Sequence, residues 1–114
     1  MKKGDIFWAD YISDGRVAKG RRPVVVVQND IANKYSNTVI VSPISTKRSN
    51  TKLPTNIILS DGYRVINKSV PVVMLEQLIT VDKHRLYEYI DHINVKDMEA
   101  IDNALCISLG IYDI

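Results

Sequence analysis

The chain has 114 residues, which is enough for one domain with one hydrophobic core. Hydrophobic residues make up 46% and charged residues 25%, an ordinary globular composition that excludes a disordered tail. The net charge of +2 permits a nucleic-acid partner without requiring one. The single cysteine, Cys106, excludes an internal disulfide, and its apolar helical surroundings predict a small core residue.

Motifs for most cofactor chemistry are missing from the sequence. It has no Cys/His spacing for zinc, no Walker loop, no GxGxxG and no GxSxG. It also has no secretory-length apolar opening and no run of membrane-spanning length. We therefore expect a protein without metal or cofactor, with the cytoplasm as its default compartment.

Strands are predicted along most of the chain, in chain order. Alternating or β-branched runs favour strands at 4–11, 22–30, 37–45, 55–60, 69–81 (one or two strands) and 85–93. Turn chemistry predicts a long loop at 12–20, and a polar basic loop follows at 46–54. Pro23 fits only the start of its strand, whereas Pro43 and Pro71 predict a bulge, bend or edge.

The last segment changes from strand to helix periodicity. Met98, Ile101, Leu105 and Leu109 recur at steps of three and four, which predicts an amphipathic helix. Asn94 is suited to cap its start and Gly110 to end it. Five to seven short strands and one terminal helix predict a strongly bent antiparallel sheet or partly open barrel, with the helix over one opening.

Positive charge is concentrated in the first half of the chain. Between Arg16 and Lys52 a single acid, Asp30, stands against eight basic residues: Arg16, Lys19, Arg21, Arg22, Lys34, Lys47, Arg48 and Lys52. The last third is acidic instead. The pattern predicts a basic face and an acidic end away from it.

Arg22 is the strongest candidate for a functional side chain. Pro23 forces its backbone to be extended, and a planar guanidinium suits phosphate oxygens. Ser45 and Thr46 end the third predicted strand. If the two strands pair antiparallel, Arg22 and this hydroxyl pair share one rim; the alternative is an edge arginine and a loop hydroxyl that never meet. His84 and His92 favour solvated or structural roles.

Six segments resemble the MazF/PemK-type toxin endoribonucleases in order and spacing, most closely the MazF toxins of Gram-positive bacteria. They are KKGDIFWADY, GRRPVVVVQND, NKYSNTVIVSPIS, KLPTNIIL, VVMLEQLITVDKHRL and DNALCISLGI. The resemblance implies one domain over 1–114, mainly β with a C-terminal α-helix, in the SH3-like, partly open antiparallel barrel of the CcdB/Kid/MazF toxins. It also implies a homodimer and inhibition by a cognate MazE-like antitoxin.

The activity implied by the resemblance is metal-independent cleavage of single-stranded RNA at a short sequence. The 2′-hydroxyl attacks the phosphate, giving 2′,3′-cyclic phosphate and 5′-hydroxyl ends. The family's catalytic arginine falls on Arg22 and its catalytic hydroxyl on Ser45, with Thr46 as the alternative. Candidate RNA contacts are Arg16, Lys19, Gly20, Arg21, Gln28, Thr46, Lys47, Arg48 and Gln77. No general base is identifiable.

The first predicted loop departs from the family pattern. That loop usually reads G-S-E-Q-G-G, whereas here it reads GRVAKGR, without a glutamate and with Arg16 where serine is common. The change bears on cleavage sequence and antitoxin choice.

The sequence leaves two other functions open. A non-catalytic RNA-binding barrel would need the basic face but no hydroxyl. A CcdB-like gyrase poison would need an exposed tryptophan in a C-terminal tail. It is the weaker alternative because the single tryptophan is Trp8.

Overall fold

In the computed structural model, described residues are 1–10, 12–13, 16–17, 21–46, 53–60, 62–64 and 70–112, with 12–13 and 16–17 described as strand backbone only. The strands are β1 Asp5–Ala9, β2 Ile12–Ser13, β3 Arg16–Val17, β4 Arg22–Val26, β5 Thr38–Ser45, β6 Asn56–Ile58, β7 Val72–Met74, β8 Ile79–Asp82 and β9 Leu86–His92. The helices are α1 Asp30–Tyr35 and α2 Val95–Ser108, and single 3-10 turns follow at Leu75–Gln77 and Lys83–Arg85.

Seven strands form one antiparallel sheet around β5. The sheet runs β6-β7-β5-β4-β1-β9, and β8 also pairs with β5, while β2 and β3 form a separate hairpin. The first half of β5 pairs with β8, from Thr38 opposite Asp82 to Val41 opposite Ile79. Its end pairs with β7, where Ser45 lies opposite Val72. β5 therefore exchanges one partner for the other between Val41 and Ile44.

Pro43 lies at this exchange. It is buried in β5, between the last pair with β8 and the first pair with β7, and it still lies opposite Val24 of β4. Because proline has no N–H to donate, it fits where the ladder on one edge is interrupted. The sequence predicted a bulge, bend or edge at Pro43, and the interrupted ladder along this side of β5 agrees with that prediction.

Apolar side chains pack on both faces of the sheet. Alternate valines of β4 divide between the two clusters, with Val25 in one and Val24 and Val26 in the other. The larger cluster includes Ile101 and Ala104 of α2, so the terminal helix covers that face. The smaller cluster, named here the interior valine cluster, is formed on the opposite face by valines of β4, β5 and β8 with Ala9 of β1.

A buried polar network fixes the start of α2. Asn94 caps the helix by accepting a hydrogen bond from the Asp97 backbone N at 2.8 Å. Asp97 is only 6% exposed, and its Oδ2 accepts from Ser60 N at 3.0 Å, Ser60 Oγ at 2.7 Å and Tyr63 OH at 2.8 Å. Burial opposes the charge of Asp97, but these donors outweigh it and lower its pKa. The network ties the segment after β6 to the helix.

The predicted fold class is confirmed: the chain is mainly antiparallel β with a C-terminal α-helix. The predicted cap at Asn94 is confirmed as well. The strand prediction for 22–30 was wrong at its end, because β4 stops at Val26 and Asp30 begins α1. The Asn29 side chain caps α1 by accepting from Ala32 N at 2.9 Å. This capping asparagine was the signal that the sequence offered.

Candidate functional site

Arg22 lies at the first position of β4, where the strand reaches solvent. Its strand partner in β1 is Ala9, which is fully buried, whereas Arg22 is exposed. The residues that follow it, Pro23 to Val26, are buried. The arginine is therefore carried on a rigid strand rather than on a loop.

The register of β4 and β5 relates Arg22 to Ser45. Val26, Val25 and Val24 lie opposite Val41, Ser42 and Pro43. Continued by two positions, this register puts Arg22 opposite Ser45. Residues opposite each other in an antiparallel pair project from the same face. Arg22 and Ser45 thus belong to one end of the sheet and to the face that carries the interior valine cluster.

The hydroxyl candidates Ser45 and Thr46 lie at the end of β5, whereas Gln77 lies beyond β7. Ser45 is half-buried at the end of β5, and Thr46, also half-buried, follows it. Gln77 is exposed at the end of the 3-10 turn that follows β7, and its Nε2 contacts Met74 Sδ at 3.7 Å. β7 runs from Val72, opposite Ser45, to Met74, so Gln77 follows the end of β7 that leads away from Ser45.

Arg21 is engaged by other side chains. Its guanidinium carbon stands 3.7 Å from the centre of the Tyr87 ring, and its NH1 is 3.0 Å from Glu88 Oε1. Tyr87 OH in turn donates to Asp10 Oδ2 at 2.6 Å, a hydrogen bond that raises the pKa of Tyr87. Sequence reasoning missed this cluster, since nothing in the chain order signals that β9 runs beside Arg21.

Gln28 is only 8% exposed. Its Nε2 donates to Asn33 Oδ1 and to the Thr38 carbonyl, both at 3.1 Å. Asn33 Nδ2 returns a hydrogen bond of 2.9 Å to the Gln28 carbonyl. These contacts anchor α1 near the end of β4 and the start of β5, and they engage the Gln28 amide that the sequence predicted to contact RNA.

The histidines and the tryptophan have structural surroundings. His92 Nδ1 is 2.7 Å from Asp5 Oδ1, whereas the His84 side chain is 96% exposed beside Asp82. Trp8 packs against the larger core cluster. Among the side chains that the structure describes, no three of His, Cys, Asp and Glu are grouped so as to hold a metal ion.

Several predicted contacts fall outside the described residues. These are Lys19, Gly20, Lys47 and Arg48, together with the Arg16 side chain, which belongs to the strand β3. Residues 47–52 of the basic loop and most of the first loop are therefore outside the described residues.

The chain matches known proteins over its whole length. A family described as PemK-like, MazF-like toxin of type II toxin-antitoxin system matches residues 2–109. The Endoribonuclease MazF of Staphylococcus saprophyticus is 40% identical over 115 residues, covering 100% of this chain and 95% of that protein. The chain therefore belongs to the PemK/MazF toxin family.

Solved structures support the fold at lower identity. A mycobacterial endoribonuclease solved with its cognate antitoxin is 20% identical, with a TM-score of 0.83 over 100% of this chain and 99% of that chain. A MazE-MazF structure from Deinococcus radiodurans is 18% identical, with a TM-score of 0.76 over 98% of this chain and 97% of that chain. Within the described residues, neither helix is long and apolar enough to cross a membrane.

Proposed function

We propose that this chain is the toxin of a toxin–antitoxin pair and an endoribonuclease that cleaves single-stranded RNA without a metal ion. The 2′-hydroxyl of the RNA attacks the adjacent phosphate and leaves 2′,3′-cyclic phosphate and 5′-hydroxyl ends. The relative at 40% identity, named an endoribonuclease, supports the activity. We infer that it acts in the cytoplasm, because its substrate is cellular RNA.

The β4–β5 register is the observation that carries the assignment of the site. It supports a phosphate position between Arg22 and Ser45, on strand ends that the buried valines hold in place. A guanidinium on a rigid strand is preorganised to stabilise charge that develops on phosphate oxygens. The strand pairing and the proposed chemistry therefore both point to the end of the sheet where β4 begins and β5 ends.

Each residue has one role in the proposed step. Arg22 donates to the nonbridging phosphate oxygens and stabilises the transition state; because a guanidinium stays protonated, it is not the base. Ser45 hydrogen-bonds the phosphate or the 2′-hydroxyl and aligns the attack. RNA supplies its own nucleophile, so the protein needs to orient it and neutralise charge.

Partners follow from the same proposal. The basic residues of the two loops track the RNA backbone, and an antitoxin of the MazE type blocks the site. The neighbours solved with antitoxins support that regulation. We also propose a homodimer, supported by exposed apolar side chains just beyond α2, at Leu109, Ile111 and Tyr112.

Replacing Arg22 tests the assignment. We expect Arg22→Ala to lower kcat on a long single-stranded RNA by about 10²–10³-fold, because one preorganised donor to the transition state is lost. Arg64→Ala, which removes another exposed arginine, serves as the matched control and stays near wild type. Cleavage is measured in EDTA after circular dichroism has shown that each variant is folded.

The outcomes separate the alternatives. An Arg22→Ala protein that is folded and cuts at the wild-type rate would remove Arg22 from the site. A wild-type protein that retards the RNA in a gel but leaves it intact would make the chain an RNA-binding barrel instead of an enzyme.

A further inference from the structure

Two arginines stand side by side at the start of β4, and their surroundings differ. We propose that Asp10, Tyr87 and Glu88 form a clamp on Arg21, and that this clamp makes Arg21 a positioning residue for Arg22 rather than a contact to RNA. The proposal rests on the proposed function in taking Arg22 as the catalytic arginine.

The clamp joins three segments of the chain at one end of the sheet. Tyr87 and Glu88 are neighbours in β9, and they hold the Arg21 guanidinium by a ring stack at 3.7 Å and an ion pair at 3.0 Å. Asp10 follows β1 and accepts the Tyr87 hydroxyl at 2.6 Å, while its own backbone N donates to the Arg85 carbonyl at 3.2 Å. The Tyr87 side chain is therefore held at its hydroxyl as well as at the face of its ring.

Arg22 lies in one row with a residue of β1 and a residue of β9. Ala9 of β1 lies opposite Arg22 on one side and opposite Leu86 on the other. Leu86 packs against the interior cluster, the same cluster that holds Val24 two residues after Arg22. Leu86 and Arg22 thus lie in the same row as Ala9, and the register between β1 and β9 shifts just after Leu86, at the two clamp residues of β9 that reach Arg21.

Which arginine faces the proposed site depends on the register of β4. A slip of β4 by one residue would exchange the faces of Arg21 and Arg22, because successive side chains point to opposite faces. A planar guanidinium stacked on an aromatic ring opposes that exchange, and an ammonium would not stack in the same way. Each contact is weak when partly exposed, but all of them favour one register.

The charge of Arg21 is already balanced in the free protein. Its side chain is 47% exposed and is paired with Glu88, so an RNA phosphate would have to compete with that carboxylate. A phosphate contact and a positioning role therefore predict different kinetics. A contact adds to RNA affinity and its salt dependence, whereas a positioning residue acts on kcat through Arg22.

The first test removes the ring beneath the guanidinium. We expect Tyr87→Leu to lower kcat about tenfold with KM nearly unchanged, because misplacing a catalytic group slows the chemical step. Tyr87→Phe keeps the ring and restores most of kcat. Tyr35→Leu is the matched control, since Tyr35 is an exposed tyrosine on α1 whose ring carries the Lys34 ammonium at 5.4 Å.

Salt dependence provides the second readout, on Arg21→Ala. The positioning role predicts a lower kcat and an unchanged slope of log affinity for a noncleavable RNA against log salt. A slope smaller by about 0.7, with kcat unchanged, would make Arg21 a phosphate contact and overturn the clamp. A wild-type kcat in both Tyr87→Leu and Arg21→Ala would overturn it too.

A third measurement needs no RNA cleavage. The Nε–Hε resonance of Arg22 is assigned in ¹⁵N-labelled protein by its loss in Arg22→Lys. We expect it to shift or broaden in Tyr87→Leu and to stay in place in Tyr87→Phe and Tyr35→Leu. An unchanged resonance in Tyr87→Leu would refute the clamp, whereas a wild-type protein that cuts no RNA would refute only the proposed function.

Discussion

Arg21 and Arg22 are adjacent residues of the same type, but they have different surroundings and we propose different roles for them. Arg22 is the exposed first residue of β4, and alternation along the strand assigns it to the face of Val24 and Val26, whereas Arg21 lies over the Tyr87 ring. Sequence alone put both arginines in a basic cluster. Their separation depends on β9, a strand that lies more than sixty positions later in the chain.

At the residue scale, the hydroxyl assignment is the next point to test. We expect Ser45→Ala to lower kcat by about tenfold or more and Ser45→Thr to keep most of it, because threonine retains the hydroxyl at the same strand position. Rates are measured on the same RNA as for Arg22→Ala. If Thr46→Ala were the more damaging change, the hydroxyl would have to be moved to Thr46.

At the scale of the elements, most strands and the terminal helix were predictable. The β-branched run of β4 and the three- and four-residue spacing in α2 reflect burial on one face, which sequence records directly. Helix α1 has only six residues, too few for a periodic pattern, and it is held by the buried Gln28–Asn33 pair. The burial of Gln28 depends on how α1 packs between β4 and β5, which the sequence does not indicate. Gln28 was therefore predicted to be an accessible contact to RNA.

The site was predictable only in part, for the same reason. The sequence has Arg22 directly before Pro23 at the start of a predicted strand. Antiparallel pairing of that strand with the next one was the condition for bringing Arg22 and Ser45 to the same rim. The exchange of partners along β5 and the approach of β9 to Arg21 are long-range, and no spacing in the chain encodes them.

The network at the start of α2 predicts how stability depends on pH. Asp97 has a pKa below its ordinary 3.8, so its contribution is present above that value and is lost as pH falls through the folded pKa. The pKa of Tyr63 is raised from 10.0 to about 12, mainly by burial. The contribution of Tyr63 to the free energy of unfolding is therefore present below pH 10 and is lost as pH rises towards 12.

Two substitutions and one control test the network. Urea unfolding at neutral pH should give Asp97→Asn a free energy of unfolding lower by about 1–3 kcal/mol, because donors of Ser60 and Tyr63 lose their charged acceptor. Tyr63→Phe should lose less of its free energy of unfolding than wild type does when the pH rises above 10. Glu99→Gln changes an exposed carboxylate on the same helix and should unfold like wild type. Equal stability of Asp97→Asn and wild type would contradict this role for the network.

At the scale of the whole molecule, the fold separates support from chemistry. Helix α2 and its polar network lie against the larger cluster, and the proposed site lies at an end of the other face. Most acidic residues of the last third lie in β9 and α2, but Glu88 of β9 pairs with Arg21 next to the proposed site, so the predicted separation of acidic and basic regions is incomplete. The basic residues precede or follow the strands that carry Arg22 and Ser45.

The most direct test of the account is the chemistry of the cut ends. The purified protein is incubated in EDTA with a long single-stranded RNA, and the fragments are analysed by primer extension, mass spectrometry and kinase labelling. We predict discrete fragments at a short repeated sequence, with 2′,3′-cyclic phosphate on one side and a kinase-labelled 5′-hydroxyl on the other. Cleavage that stops in EDTA, or 5′-phosphate ends that resist labelling, would contradict attack by the 2′-hydroxyl at the Arg22–Ser45 site.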